Sequence, residues 1–319
     1  MISMNKLKRK INKYSGFEKK KFLFVYLFIA FPVLQFAIFW VYVNFSSIMY
    51  AFQDGDGKFT WKNMEWVVEA LKGNDNKLAF DLFDTLKRSF ILWFLDFFIL
   101  FPIGILTTYV LYRRIWGHYA FRVFYIVPSL MGAVMWSQLL VYLSQGYLQG
   151  GALVRVLKPF LSKDAINEGL LGTAKTAFPT IVTIKCIMGL VCNNAVLTGA
   201  FSRVPDEIYE SAELDGAGFW RTFISIAVPC VWSTIATLMT FSLCSVFTAD
   251  YYIYLLTGGA RDTSTIGFLL YQMTLDRKAS PNGFLGEPAA IGVFLTAITV
   301  PVVLIGRKLV ERVFANVEI

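Results

Sequence analysis

One histidine, four cysteines and few charges are what this 319-residue chain has to work with, and each scarcity removes a class of function. His118 follows Gly117 in a basic turn, and no His-Glu-x-x-His helix or Gly-x-Ser-x-Gly elbow occurs, so zinc-protease and serine-hydrolase chemistry lack their residues. Cys186, Cys192, Cys230 and Cys244 lie in or at the edge of apolar runs without ligand spacing. They read as packing residues, and neither a disulfide framework nor a metal site is expected. A phosphate-binding loop is missing too: Gly172-Thr-Ala-Lys175-Thr176 is a superficial likeness, with Ala174 where a glycine should precede the lysine. With 16% charged residues against 56% hydrophobic ones, the chain has too few polar groups to cover a soluble globule of this size.

What is abundant is apolar sequence. Runs able to cross about 30 Å of hydrocarbon as helices occur at roughly Phe22 to Val43, Phe90 to Tyr112, Phe121 to Leu143, Ala177 to Phe201, Ile226 to Tyr251 and Pro288 to Ile305. The expected fold is all-α and polytopic, with six transmembrane helices in one membrane domain over 22–319 behind a basic tail over 1–21. The first run has too long an apolar core for a signal peptide and no small-x-small site after it, so it is read as a retained span.

The net charge of +8 is a topology signal rather than a nucleic-acid footprint. Eight basic residues precede the first span, Arg113, Arg114 and Arg122 lie between the second and third, Arg203 and Arg221 between the fourth and fifth, and Arg307, Lys308 and Arg312 follow the sixth. The positive-inside rule puts these segments and both termini in the cytoplasm. The segments Asn44 to Ser89, Ser144 to Thr176 and Leu256 to Glu287 then face outward.

Two ionisable residues stand deep in apolar runs, Asp96 in the second span and Lys185 in the fourth. Each costs a few kcal/mol if left facing lipid, so a structural ion pair between them is the preferred reading over a direct substrate contact. Further acidic groups in the span interiors are lacking, which argues against a proton relay. The fifth span carries Thr234, Thr237, Ser242, Ser245 and Thr248 at spacings of three to five, with Tyr252 at its outer end. With Gln138, Asn193 and Asn194 they could line a path for a neutral polyhydroxy solute, flanked by Trp136 and Tyr142. Hydroxyls also serve as interhelical glue in membranes, and both readings stay open.

One amphipathic stretch interrupts the apolar pattern. Pro205 suits a helix start, Asp206 and Glu207 complement the positive helix end, and Gly216 allows a left-handed stop, so a short helix is expected from about Pro205 to Asp215. Glu207, Glu210 and Glu213 recur every three residues and gather on one side, while Ile208, Ser211 and Ala212 leave a slim surface that can enter a groove. Helices lying in the lipid interface are usually basic on their polar face, and this one is acidic, which favours docking to a protein.

The order Glu210-Ser-Ala-Glu-Leu-Asp-Gly216, followed by Ile226-Ala-Val-Pro229, resembles the cytoplasmic coupling signature of importer-type ABC transporter permeases. Leu255-Leu-Thr-Gly-Gly-Ala260 with Thr263-Ser-Thr265 is similar to the segment after the fifth span in carbohydrate permeases of the maltose type. The resemblance runs from about Phe22 to the C-terminus. It implies a type I importer fold in a prokaryotic inner membrane, a second permease, two ATPase subunits that bind ATP and magnesium, and an extracytoplasmic binding protein delivering a sugar. It also implies that Glu207, Glu210, Ser211, Ala212, Asp215, Gly216 and Arg221 take part in coupling to an ATPase. Ser211 stands where alanine is usual and Val228 where leucine is frequent before the proline, both mild departures. The alternatives are a permease of this family for an anionic solute such as glycerol phosphate, and a membrane-embedded glycan or lipid transferase.

Overall fold

The computed structural model describes residues 16–72, 81–113, 123, 132–189, 194–248, 252–275 and 285–313. Within them the secondary structure is helical apart from one isolated bridge, Gln53 to Phe59. Three helices are long and apolar enough to cross a membrane, Lys21–Ala51, Leu82–Tyr112 and Gly286–Arg312, and a bent pair makes up to four. At 31 residues each, the first two rise about 46 Å, so they overreach the hydrocarbon and carry their ends into the aqueous layers.

The six expected spans are modified accordingly. The second begins at Leu82 rather than Phe90, because Asp81 caps it: the Phe83 amide donates to Asp81 Oδ1 at 2.9 Å. The fourth is described as two helices, Ala174–Gly189 and Asn194–Phe201. Of the third, the described part is mainly Ala133–Leu143, and the rest of that expectation falls outside the described residues. The fifth is a correction of form: Phe219–Cys230 and Trp232–Cys244 meet at 76°. Pro229 has no amide hydrogen to continue the ladder, and a π-turn over Phe223–Ala227 precedes it, two recognised causes of a sharp kink.

Helices in lipid gain nothing by hiding from water, so they associate through close packing and hydrogen bonds. The clusters reflect this. Near one end, Ala51, Val67, Leu82, Leu269, Met273 and Ile291 join the first, second and last long helices to two shorter ones. Near the other end, Tyr109, Leu197, Phe201, Tyr209, Val231 and Ile235 join the second span to the fourth, the fifth and the acidic helix. The second span appears in both and is 39% buried over its most apolar window, against 0% for the first span. The second span is therefore the centre of the chain, and the first presents apolar side chains on all sides until its last turn packs on the final helix.

Candidate functional site

The acidic stretch forms a helix over Asp206–Leu214, with Asp206 and Glu207 in its first turn. Its C-terminal end is closed by two backbone bonds, Gly216 N–H to the Glu213 carbonyl at 3.0 Å and Ala217 N–H to the Ala212 carbonyl at 2.9 Å. This pair is the Schellman arrangement, which requires a left-handed residue after the helix. Gly216 supplies it at φ +74°. A Cβ there would meet nothing within 4 Å, so backbone conformation alone selects glycine.

The faces of this helix differ from the expected ones. Tyr209 and Ala212 are buried and Ile208 half-buried against the cluster of Phe201, Val204 and Val231, so Ala212 seats the helix on its own chain and is not part of a free slim surface. Glu213 leaves the acidic stripe to form an ion pair with Arg113. Outward stand Glu207, Glu210, Ser211, Asp215 and the unanticipated Leu214, which is 90% exposed. The reason is geometric: positions 207, 210, 211 and 214 share one helix face, opposite Tyr209 and Ala212. The Ser211 hydroxyl donates to the Glu207 carbonyl at 2.8 Å and adds no bulk to that face. Arg221 is exposed on the next short helix, Phe219–Thr222.

Several contacts fasten this helix to the end of the second span. Arg113 Nη2 pairs with Glu213 Oε1, and its guanidinium lies 5.0 Å from the centre of the Tyr209 ring. Tyr112 donates to Asp206 Oδ1 at 3.4 Å, and the Tyr109 and Tyr209 rings lie 6.4 Å apart. Burial holds the Tyr209 phenol well above its ordinary range, so it remains a neutral stacking surface at physiological pH.

Deeper in the chain, Lys185 Nζ lies 3.1 Å from Asp96 Oδ1, with both side chains largely covered. The two charges singled out in the sequence thus face each other, and Asp96 opens a π-turn in the second span. The residues of the polar stripe sit in different surroundings. Thr237 is exposed and donates to the Ser233 carbonyl at 2.9 Å, and Ser245 donates to the Ser242 carbonyl at 2.9 Å. Ser242 is half-buried, and its carbonyl accepts from Trp93 Nε1 at 2.8 Å. Thr248 is exposed and lines an apolar cavity of about 450 Å³ with Cys244, Leu270, Thr296 and Val300. Gln138 and Tyr252 are exposed. Asn193 lies outside the described residues, as does the side chain of Asn194.

The glycine-rich segment after the fifth span folds into a compact knot. Gly258, Gly259, Arg261 and Asp262 all have φ between +56° and +74°. Thr263, Ser264 and Thr265 are fully buried, and the Thr257 and Thr263 hydroxyls sit 2.6 Å apart. A Cβ at Gly259 would lie 2.2 Å from Phe268 Cε1, so the knot closes only around glycine. Arg88 of the second span reaches Asp262 at 3.3 Å, and the Ile266 amide donates to Ser89 Oγ at 2.8 Å.

The chain is thus a bundle of apolar helices with an acidic helix fastened to the end of the second span and closed by Gly216. The family described as binding-protein-dependent transport system inner membrane component matches residues 100–316, and the chain belongs to it. Among relatives, the diacetylchitobiose uptake system permease protein NgcF of Streptomyces coelicolor is 30% identical over 178 residues, covering 55% of this chain and 47% of its own. The alpha-glucoside transport system permease protein AglF of Rhizobium meliloti is 25% identical, covering 88% and 80%. The multiple sugar-binding transport system permease protein MsmF of Streptococcus mutans is 22% identical, covering 89% and 92%. The chain spans about half the length of the first curated relatives it matches. Among solved structures, a bacterial ABC transporter importing the acidic polysaccharide alginate shares the fold at TM-score 0.73 and 18% identity, covering 92% of this chain and 97% of that one.

Proposed function

We propose that this chain is a permease subunit of an ATP-driven importer that takes up a sugar or oligosaccharide handed over by an extracytoplasmic binding protein. The observation that carries this reading is the outward face of helix Asp206–Leu214, where Glu207, Glu210 and Ser211 surround an uncovered Leu214. An apolar anchor ringed by carboxylates suits a groove on another protein. The partner proposed for it is an ATPase subunit that binds ATP and magnesium. The first span, apolar on all sides, supports a second permease or lipid as its cover.

The sidedness rests on the distribution of basic residues. The Arg113–Glu213 and Arg88–Asp262 pairs lie towards opposite ends of the second span. The first pair is cytoplasmic, and both termini lie on that side. The cargo is a carbohydrate, as the names of the relatives suggest. A neutral cargo is favoured over a phosphorylated one because Lys185, the one cation expected at depth in the spans, is engaged by Asp96. The test is a photoreactive phenylalanine analogue in place of Leu214, with the adduct identified by mass spectrometry after expression in the native host. Adducts with the ATP-binding subunit are expected. Adducts with lipid alone would refute the assignment.

A further inference from the structure

We propose that the helix Leu82–Tyr112 is the transmission element of this transporter, with Arg88, two turns in from its start, and Arg113, just past its end, as the positioning residues. The inference rests on the coupling role of helix Asp206–Leu214 proposed above and adds the route by which that helix is linked to the opposite face.

The two arginines belong to one rod, separated by about 38 Å at 1.5 Å per residue. Each engages a separate, geometrically specified element. Arg113 closes on Glu213 and stacks over Tyr209, while the adjacent Tyr112 donates to Asp206, so both ends of the acidic helix are held by two consecutive residues. Arg88 engages Asp262, and the adjacent Ser89 accepts the Ile266 amide, so the glycine-rich knot is held in the same manner. Arg261 and Asp262 adopt left-handed conformations that cost residues other than glycine free energy. Such backbone persists only where its surroundings impose it, and Arg88 and Ser89 are among those surroundings. Between the ends, Asp96 meets Lys185 of the fourth span and Trp93 meets the Ser242 carbonyl of the fifth. Movement of the rod therefore has to move these spans as well.

Stability does not account for the end pairs. Asp262 and Glu213 are 72% and 59% exposed, and ion pairs so open to water add little to folding. What they do is fix position: one joins the central helix to the acidic helix and the other joins it to the glycine-rich knot. A displacement of the acidic helix is thereby passed to the knot on the other face, and the reverse.

The experiment uses the assembled transporter in nanodiscs, with its ATPase subunits and binding protein, and reads the ratio of hydrolysis stimulated by liganded binding protein to basal hydrolysis. Arg88→Ala and Arg113→Ala should each lower that ratio at least about fivefold, the low end of ordinary coupling between sites, with ATPase content and basal hydrolysis retained. Exchanging the charges in Arg113→Glu/Glu213→Arg and in Arg88→Asp/Asp262→Arg should restore much of it, which a loss of fold would not permit. Wild-type ratios in both alanine variants overturn the proposal. If Arg113→Ala sheds its ATPase subunits, Arg88→Ala, remote from the docking face, decides alone, and a wild-type ratio there overturns it. A wild-type chain that recruits no ATPase overturns the proposed function and this inference together.

Discussion

Asp96→Asn leaves Lys185 without its counter-charge, and the structure allows the consequence to be sized. At the observed 3.1 Å the attraction is about 5 kcal/mol for an effective dielectric of about 20. Much of that offsets the desolvation of the two groups, since their side chains are only 30% and 17% exposed. The quantity that appears on removing one partner is the cost of the stranded charge, about 2.5–3.5 kcal/mol at the centre of a membrane helix. Asp96→Asn and Lys185→Met should therefore each lower the heat-denaturation midpoint of the purified complex by several degrees and reduce folded protein in the membrane. The double variant removes both charges and should recover at least half of the loss. Fluorescence-detected size-exclusion after a heat step measures this directly. Additive losses in the double variant would refute the pairing argument.

Gly216→Val should weaken the end of the acidic helix by about 1–2 kcal/mol, and Gly216→Asn by less. Because a Cβ meets nothing within 4 Å there, equal effects on stimulated ATP hydrolysis would contradict the conformational argument. Glu210→Lys reverses the charge of the docking face and should abolish binding-protein-stimulated hydrolysis while leaving membrane insertion intact; normal uptake with normal ATPase content would remove that face from coupling. Ser245→Trp should block uptake in assembled complexes, and Lys185→Gln should reduce uptake no more than it reduces folded protein; a selective loss in Lys185→Gln would point to an anionic cargo.

The parts of this molecule legible in the sequence are those where one residue has few options. Gly216 ends its helix in the left-handed region because that position demands it, and Asp96 and Lys185 face each other where isolated charges in apolar helices are costly. Faces and angles were harder. Leu214 points outward and Ala212 inward because Tyr209 chooses the buried side, and in a nine-residue helix with three glutamates either face could have been apolar enough. The Arg113–Glu213 and Arg88–Asp262 pairs join residues too distant in sequence for any periodicity to reveal. The serine and threonine stripe is ambiguous for a physical reason: Thr237 and Ser245 satisfy their hydroxyls on nearby carbonyls of their own chain, so such residues need no cargo to be retained. The bend at Val231 combines a proline, visible in sequence, with a π-turn, which is not.

The most direct test of the central claim is uptake by proteoliposomes holding this chain with the proposed permease, ATPase and binding-protein partners, with ATP sealed inside and labelled oligosaccharide outside. The account predicts accumulation that requires internal ATP and the binding protein and is lost with Glu210→Lys. Accumulation that proceeds without ATP, or that survives Glu210→Lys undiminished, would contradict it.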